Sequence, residues 1–129
     1  MRYHNILLID DDSDDADFFI EAINSLHPNL SCKTETNPVK ALEFLNSTEI
    51  LPDLIFLDYN MPILNGSEFL EEMRESSRLK EIQVIIYSSY CETAAEHLSI
   101  ITGSERFMTK PDTFTELVDV LRKILIERH

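Results

Sequence analysis

Short runs of consecutive apolar residues alternate along this chain with segments in which apolar residues recur every three or four positions. Each run is four residues long and is bounded by polar residues or turn formers, which is typical of strands buried on both faces of a parallel sheet. These runs predict strands at 6–9, 54–57 and 84–87. The last strand is predicted at 106–109, and a weaker, alternating strand is predicted near the sheet edge at 30–35.

The segments between the strands have the apolar spacing of amphipathic helices. Capping residues mark where most of these helices begin. The candidates are Asp12, Ser13, Asp14 and Asp15 for the first helix, Asn37-Pro38 for the second, Ser67 for the third, and Thr113 with Glu116 for the last. Another helix is predicted at 92–101, closed by Gly103.

Five strands that alternate with five helices predict an α/β fold, in which helices cover both faces of a doubly wound parallel sheet. The flavodoxin-like (βα)5 arrangement, with strand order 2-1-3-4-5, is expected for five strands. This order places the first and third strands side by side, and ligands bind at the carboxyl ends of such strands. No linker or repeat interrupts the pattern, so residues 1–129 are predicted to form one domain.

Charge and cysteine content narrow the classes of function. The 129 residues include 11 basic and 24 acidic side chains, and the net charge is −13. Such an acidic chain is unsuited to direct contact with nucleic acids or anionic membranes. There is neither a run of the ~20 apolar residues that span a bilayer nor a signal-peptide pattern. Cys32 and Cys91 are isolated in sequence, which predicts reduced cysteines in a cytoplasmic protein.

Polar side chains follow four of the predicted strands at the point where each strand ends. Asp10 and Asp11 follow the first strand, Asp58 the third, Ser88 the fourth and Lys110 the last. Any one of them could be an ordinary turn residue, but together they predict a site. Three carboxylates repel one another unless a cation is bound, and oxygen ligands beside a phosphate favour Mg²⁺. With Lys110 and Ser88 holding a phosphoryl group, Asp58 can form an aspartyl phosphate.

The segments around these residues resemble the receiver domains of bacterial response regulators, the phosphorylated proteins of two-component signalling. The matching segments are ILLIDDD at 6–12, PDLIFLDYNMP at 52–62, Ser88, and FMTKP at 107–111. The spacing between the segments also fits the family, and the similarity extends over residues 5–127.

The resemblance implies that Asp58 is the phosphoacceptor. Its phosphoryl group would come from a histidine of a sensor histidine kinase or of a histidine phosphotransfer protein. Asp11 would bind Mg²⁺ directly and Asp10 through water, together with Asp58 and the backbone carbonyl of Asn60. Lys110 would hold the phosphoryl group.

The resemblance also implies a conformational switch. The phosphoryl group on Asp58 would draw the Ser88 hydroxyl towards it, and Phe107 would swing inward. The surface of the predicted helix at 92–101, the last strand and the last helix would then change its preferred partner. Simple core packing is the alternative role for Phe107. The peptide bond before Pro111 is expected to be cis, as in the family.

Several positions depart from the usual family pattern. Ser88 replaces the commoner threonine and keeps the hydroxyl, while Ser89 stands where a smaller residue such as alanine is usual. Phe107 lacks the hydroxyl of the frequent tyrosine. Tyr90 lies where the family controls water access, and its bulk would slow the loss of phosphate.

The sequence predicts a stand-alone receiver, without a DNA-binding output domain, that acts on a downstream protein target. Two copies of such a receiver could also pair, through a surface formed by the predicted helix at 92–101, the last strand and the last helix. Two alternatives are an interaction module that is not phosphorylated, which would lack a pocket residue, and an enzyme that turns over an aspartyl phosphate. Such enzymes commonly need a second acid two residues after the nucleophile, where Asn60 stands. A phosphoacceptor with self-catalysed phosphorylation and slow autodephosphorylation, rather than an enzyme, is therefore expected.

Overall fold

A computed structural model describes residues 3–59, 61, 63–89 and 106–127 of the chain. The strands in these ranges are β1 (Asn5–Ile9), β2 (Ser31–Glu35), β3 (Leu54–Leu57), β4 (Gln83–Ser88) and β5 (Arg106–Thr109). The helices are α1 (Ser13–Leu26), α2 (Pro38–Ser47), α3 (Gly66–Glu75) and α4 (Phe114–Leu125). The helix predicted at 92–101 lies outside the described residues. No helix in the described ranges has the length and apolar character needed to cross a membrane.

The strands form one sheet in the order β2-β1-β3-β4-β5, and every neighbouring pair is parallel. This confirms the predicted strand order and the α/β fold class. β2 lies at an edge, in agreement with its weaker, alternating sequence. Because β1 and β3 are neighbours in the centre of the sheet, their carboxyl ends lie side by side.

The sheet separates two apolar layers, as the doubly wound prediction requires. Along β1, Leu7 and Ile9 belong to the layer that contains the buried residues of α2 and α3. Ile6 and Leu8 belong to the opposite layer, with the buried residues of α1 and α4. All four side chains are at most 2% exposed, since the two faces of the strand are both covered.

Side chains cap the helices, with one difference from the sequence prediction. Asn37 and Thr113 begin α2 and α4 as predicted. α3 is capped by Asn65 and not by Ser67: the Asn65 side chain accepts from the Glu68 amide at 3.0 Å, and the Glu68 side chain accepts from the Asn65 amide. This reciprocal capping box satisfies two amides at once, which a cap at Ser67 would leave without these partners.

The loop between β3 and α3 contains a strained residue. Ile63 has a φ of 71°, and its side chain is 81% exposed. A β-branched residue is disfavoured in this left-handed conformation because its Cβ approaches the neighbouring carbonyl oxygen. The exposed side chain gains little burial that could offset the strain.

Replacement of Ile63 by glycine should therefore stabilise the protein. Relief of the left-handed strain is worth about 1–2 kcal/mol, and the greater freedom of glycine in the unfolded chain cancels about 0.5–1 kcal/mol of it. The free energy of unfolding in urea should rise by about 1 kcal/mol. Ile50→Gly is a matched control, since Ile50 is 73% exposed and is not among the residues with positive φ. That control should be neutral or destabilising, and an equal response of the two variants would contradict the strain argument.

Candidate functional site

Three of the predicted site residues extend the hydrogen-bonded sheet by one residue beyond their strands. The Asp10 amide donates to the last carbonyl of β2 at 3.1 Å, and the Asp58 amide donates to the last carbonyl of β1 at 2.9 Å. The Lys110 amide donates to the last carbonyl of β4 at 3.0 Å. The main chain of each residue is thereby fixed by a neighbouring strand, and the side chains emerge at the same edge of the sheet.

Three carboxylates meet at this edge. Asp10, Asp11 and Asp58 each offer an oxygen within 4.8 Å of the others. Asp10 is fully buried and Asp58 is 6% exposed, whereas Asp11 is open to solvent. A cluster of oxygen donors in which one side faces solvent suits a hard divalent cation that keeps part of its water shell. The donor set therefore fits the predicted metal.

The Lys110 ammonium lies within this group of acids. Its Nζ donates to Asp10 Oδ2 at 2.8 Å and to Asp15 Oδ2 at 2.9 Å, and lies 3.8 Å from Asp58 Oδ2. The same nitrogen is 5.3 Å from the ring centroid of Tyr87. The negative face of the aromatic ring attracts the ammonium and adds to the stabilisation by the carboxylates.

Burial and charge have opposite effects on the pKa values of Asp10 and Lys110. Burial raises the pKa of Asp10, and the hydrogen bonds and positive charge of Lys110 offset only part of that rise. Burial alone would lower the pKa of Lys110, but hydrogen bonds to Asp10 and Asp15 outweigh it, and the pKa is raised above its ordinary value. The lysine is therefore charged throughout the physiological range.

An aromatic cluster supports the site from below. Phe19 packs edge to face on Phe56 and on Tyr87, with ring centroids 4.9 Å and 5.6 Å apart. Phe56 and Tyr87 complete the triangle at 6.2 Å. Edge-to-face contacts of this kind are favourable, and they stabilise the aromatic cluster to which the Tyr87 ring near Lys110 belongs.

The two residues of the predicted switch, Ser88 and Phe107, lie on the neighbouring strands β4 and β5. Ser88 ends β4, pairs in register with Thr109, and is 1% exposed. Phe107 is half-buried and packs against the apolar layer of α2 and α3. Ser89, directly after β4, is exposed. The structure thus brings Ser88 to the predicted edge, while the switch role of Phe107 stays a prediction.

Two further site predictions lie outside the described residues, and a third, the cis peptide bond before Pro111, is wrong. Asn60 and Tyr90 fall outside the described ranges. The peptide bond between Lys110 and Pro111 is trans, since no bond in the described part of the chain is cis. The small energy difference between the isomers makes a cis bond accessible, but the trans form is intrinsically preferred.

Sequence reasoning missed the contact that Asp15 makes with Lys110. From the sequence, Asp15 is predicted only to favour the start of α1 as one of several acidic residues there. Its amide does donate to the N-cap Asp12 Oδ1 at 3.2 Å, but its carboxylate reaches Lys110, 95 residues away. A signal was available: helical side chains lean towards the N-terminus, and α1 begins at the edge of the sheet that carries the site.

Comparison with known proteins identifies the family. A sequence model of the response regulator receiver domain matches residues 6–122. The two-component response regulator ARR15 of Arabidopsis thaliana is 36% identical over 136 aligned positions, which cover 96% of this chain and 63% of ARR15. This chain thus spans less than two thirds of that relative's own length.

Solved structures of response regulators share the fold. The phosphorylated cyanobacterial phytochrome response regulator RcpA superimposes with a TM-score of 0.82 over 95% of this chain and 91% of RcpA, at 24% identity. Response regulator TrrA of Thermotoga maritima, solved in complex with Mg²⁺-BeF, gives a TM-score of 0.73 over 94% of this chain and 98% of TrrA, at 25% identity. The family model, the relative and the fold agree, and the chain belongs to the response regulator receiver domain family.

Proposed function

We propose that this domain accepts a phosphoryl group on Asp58 with Mg²⁺ bound beside it, and signals through altered contacts with other proteins. The observation that carries the proposal is the meeting of three acids with one base: oxygens of Asp10, Asp11 and Asp58 lie within 4.8 Å of one another, and Lys110 Nζ is 3.8 Å from Asp58. Membership of the receiver family supports the same reading.

The carboxylates have distinct proposed roles at the metal. Asp11, which faces solvent, would bind Mg²⁺ directly together with Asp58, and the buried Asp10 would bind it through water. The backbone carbonyl of Asn60 stays a predicted ligand. A bound Mg²⁺ would supply positive charge that offsets the repulsion among the acids and the charge on phosphoryl oxygens. The Mg²⁺-BeF complex of TrrA supports the choice of cation.

The side chains around Asp58 suit phosphoryl transfer from a phosphohistidine. A carboxylate oxygen of Asp58 would form the new bond to phosphorus, while the bond from phosphorus to the histidine nitrogen breaks and its electron pair stays on the nitrogen. The charged Lys110 would hold a phosphoryl oxygen. Ser88 would donate its hydroxyl hydrogen to another oxygen from the end of β4.

The proposed partners follow from this chemistry. The donor is a sensor histidine kinase or a histidine phosphotransfer protein, and the receiver of the signal is a downstream protein. A net charge of −13 argues against direct contact with DNA. Phe107 is half-buried on β5 and pairs in register with Ile86, two residues before Ser88. Its inward swing, and pairing of two copies through the surface formed by the predicted helix at 92–101, β5 and α4, stay predictions.

The proposal is tested by incubation with Mg²⁺ and radiolabelled acetyl phosphate. The wild-type protein should acquire an acid-stable, hydroxylamine-sensitive label, since an acyl phosphate is cleaved by hydroxylamine. Asp58→Asn should acquire none, and chelation of Mg²⁺ should abolish labelling of the wild type. Asp17→Asn, the same change at an exposed residue of α1, is the control and should label normally.

Absence of label from the wild-type protein would refute the phosphoacceptor role. We also propose that the domain holds its phosphate and loses it slowly, rather than acting as an enzyme. Continuous rapid release of phosphate from acetyl phosphate would favour the enzyme instead.

A further inference from the structure

The Lys110 ammonium is shared unequally among the acids around it. An ammonium group has three N–H donors. Two of them are used at hydrogen-bond distance, by Asp10 at 2.8 Å and by Asp15 at 2.9 Å. The nearest Asp58 oxygen is 3.8 Å away, which is beyond hydrogen-bond distance. The lysine is thus held closer to α1 than to the proposed phosphoacceptor.

Asp15 and Asp10 differ in how readily they could release the lysine. The Asp10 side chain is completely buried, so the loss of its ion pair would leave an uncompensated charge away from water. The Asp15 side chain is 38% exposed, and water can solvate its carboxylate if the lysine moves. Of the two contacts, the one with Asp15 is therefore the easier to break.

A cavity adjoins this contact on the outer side. It has a volume of about 150 Å³ and lies between α1 and the start of α4, with Asp15, Phe18, Lys110 and Phe114 among the residues that line it. Phe18 and Phe114 are 55% and 40% exposed, so the cavity opens towards solvent. A released Asp15 carboxylate would have both space and water there.

We infer that Asp15 is a positioning residue that restrains Lys110 on α1 in the unphosphorylated protein and so weakens its hold on a phosphoryl group at Asp58. This inference rests on the proposed function of Asp58. The Asp15 carboxylate and the phosphoryl oxygens compete for the same ammonium, and the stronger the contact with Asp15, the less Lys110 stabilises the phosphorylated form. Phosphorylation then frees Asp15 and changes the charge at the cavity between α1 and α4.

The test measures binding of beryllofluoride, a mimic of the phosphoryl group, in the presence of saturating Mg²⁺. Fluorine NMR or calorimetry would give its affinity for the wild type and three variants. Asp15→Asn removes the competing charge and should tighten binding about three- to ten-fold. This ratio corresponds to the free energy that a partly exposed ion pair with a charged hydrogen bond contributes. Asp15→Glu keeps the carboxylate and should stay within about two-fold of the wild type.

Asp14→Asn is the matched control, since it removes the same charge from the neighbouring position, where the side chain is exposed. It should change the affinity by less than about two-fold, because general electrostatics at an exposed residue are screened. Unchanged or weaker binding in Asp15→Asn, or an equal gain in Asp14→Asn, overturns the inference while the proposed function stands. A wild-type protein that binds no beryllofluoride with Mg²⁺ refutes both.

Discussion

Replacement of Lys110 by methionine should lower the free energy of unfolding by about 3 kcal/mol at neutral pH without divalent metal. The variant keeps the volume of the side chain but leaves the fully buried Asp10 without the ammonium that lies 2.8 Å from it. Loss of one partner of a buried pair is costly because the remaining charge is away from water. Urea denaturation with and without metal measures the effect.

The deficit of Lys110→Met should depend on pH, and the sign follows from Asp10. Burial already raises the pKa of Asp10, and removal of Lys110 takes away the main interaction that lowers it. A carboxyl whose pKa is higher in the folded state stabilises the fold at low pH and loses that contribution as the pH rises through its folded pKa. The variant should therefore be closest to the wild type in acid and most deficient at neutral pH.

Added Mg²⁺ should restore part of the lost stability, because under the proposed function a cation beside Asp10 replaces the missing charge. Lys40→Met, the same substitution at an exposed residue of α2, is the control and should change stability by less than about 0.5 kcal/mol. A loss at Lys110 that equals the loss at Lys40, or that is independent of pH, would contradict the role assigned to the buried pair.

Gly66→Ala should cost about 2–3 kcal/mol of unfolding free energy and should also disturb the site. A Cβ at this position would lie 2.8 Å from Tyr59 Cα and 3.1 Å from the carbonyl oxygen of Asp58. Both are backbone atoms, so the contact cannot be relieved by rotation of a side chain. The Gly66 amide also donates to the Tyr59 carbonyl at 2.9 Å, which holds the two segments at this distance.

The displaced atoms belong to the segment that carries the proposed phosphoacceptor, so labelling by acetyl phosphate should slow about ten-fold in Gly66→Ala. Ser67→Ala, one residue further along α3, is the control for a small change near the start of this helix. It should keep wild-type labelling and nearly wild-type stability. Full stability and labelling of Gly66→Ala would show that the loop yields more easily than its backbone contacts indicate.

Local sequence predicted the strands because their signals are contained within a few residues. Leu54–Leu57 is a continuous apolar run, and the structure gives β3 the same bounds. Asn37-Pro38 predicted the start of α2 by the same kind of local chemistry. The predicted cap of α3 was wrong by two residues. Asn65 and Ser67 are both good capping residues, and only the contact of Asn65 with Glu68 selects between them.

The meeting of Asp10, Asp11 and Asp58 was also predictable, because the parallel topology brings the ends of β1 and β3 together once the strand order is known. Their roles in phosphorylation stay predictions.

Two features could be seen only in the tertiary structure: which acids bind the Lys110 ammonium, and how closely Gly66 approaches the backbone of Tyr59. Lys110 is in reach of several acids, and its choice of Asp10 and Asp15 over Asp58 depends on where α1 begins relative to the end of β5. The close approach of Gly66 to Tyr59 likewise depends on the path of the whole loop. The fold, the sheet edge and the acids that meet there could be predicted from the sequence, because they follow from periodicity and topology. The difference between 2.9 Å to Asp15 and 3.8 Å to Asp58 decides which carboxylate Lys110 bonds to, and no local pattern in the sequence encodes distances between side chains so far apart in the chain.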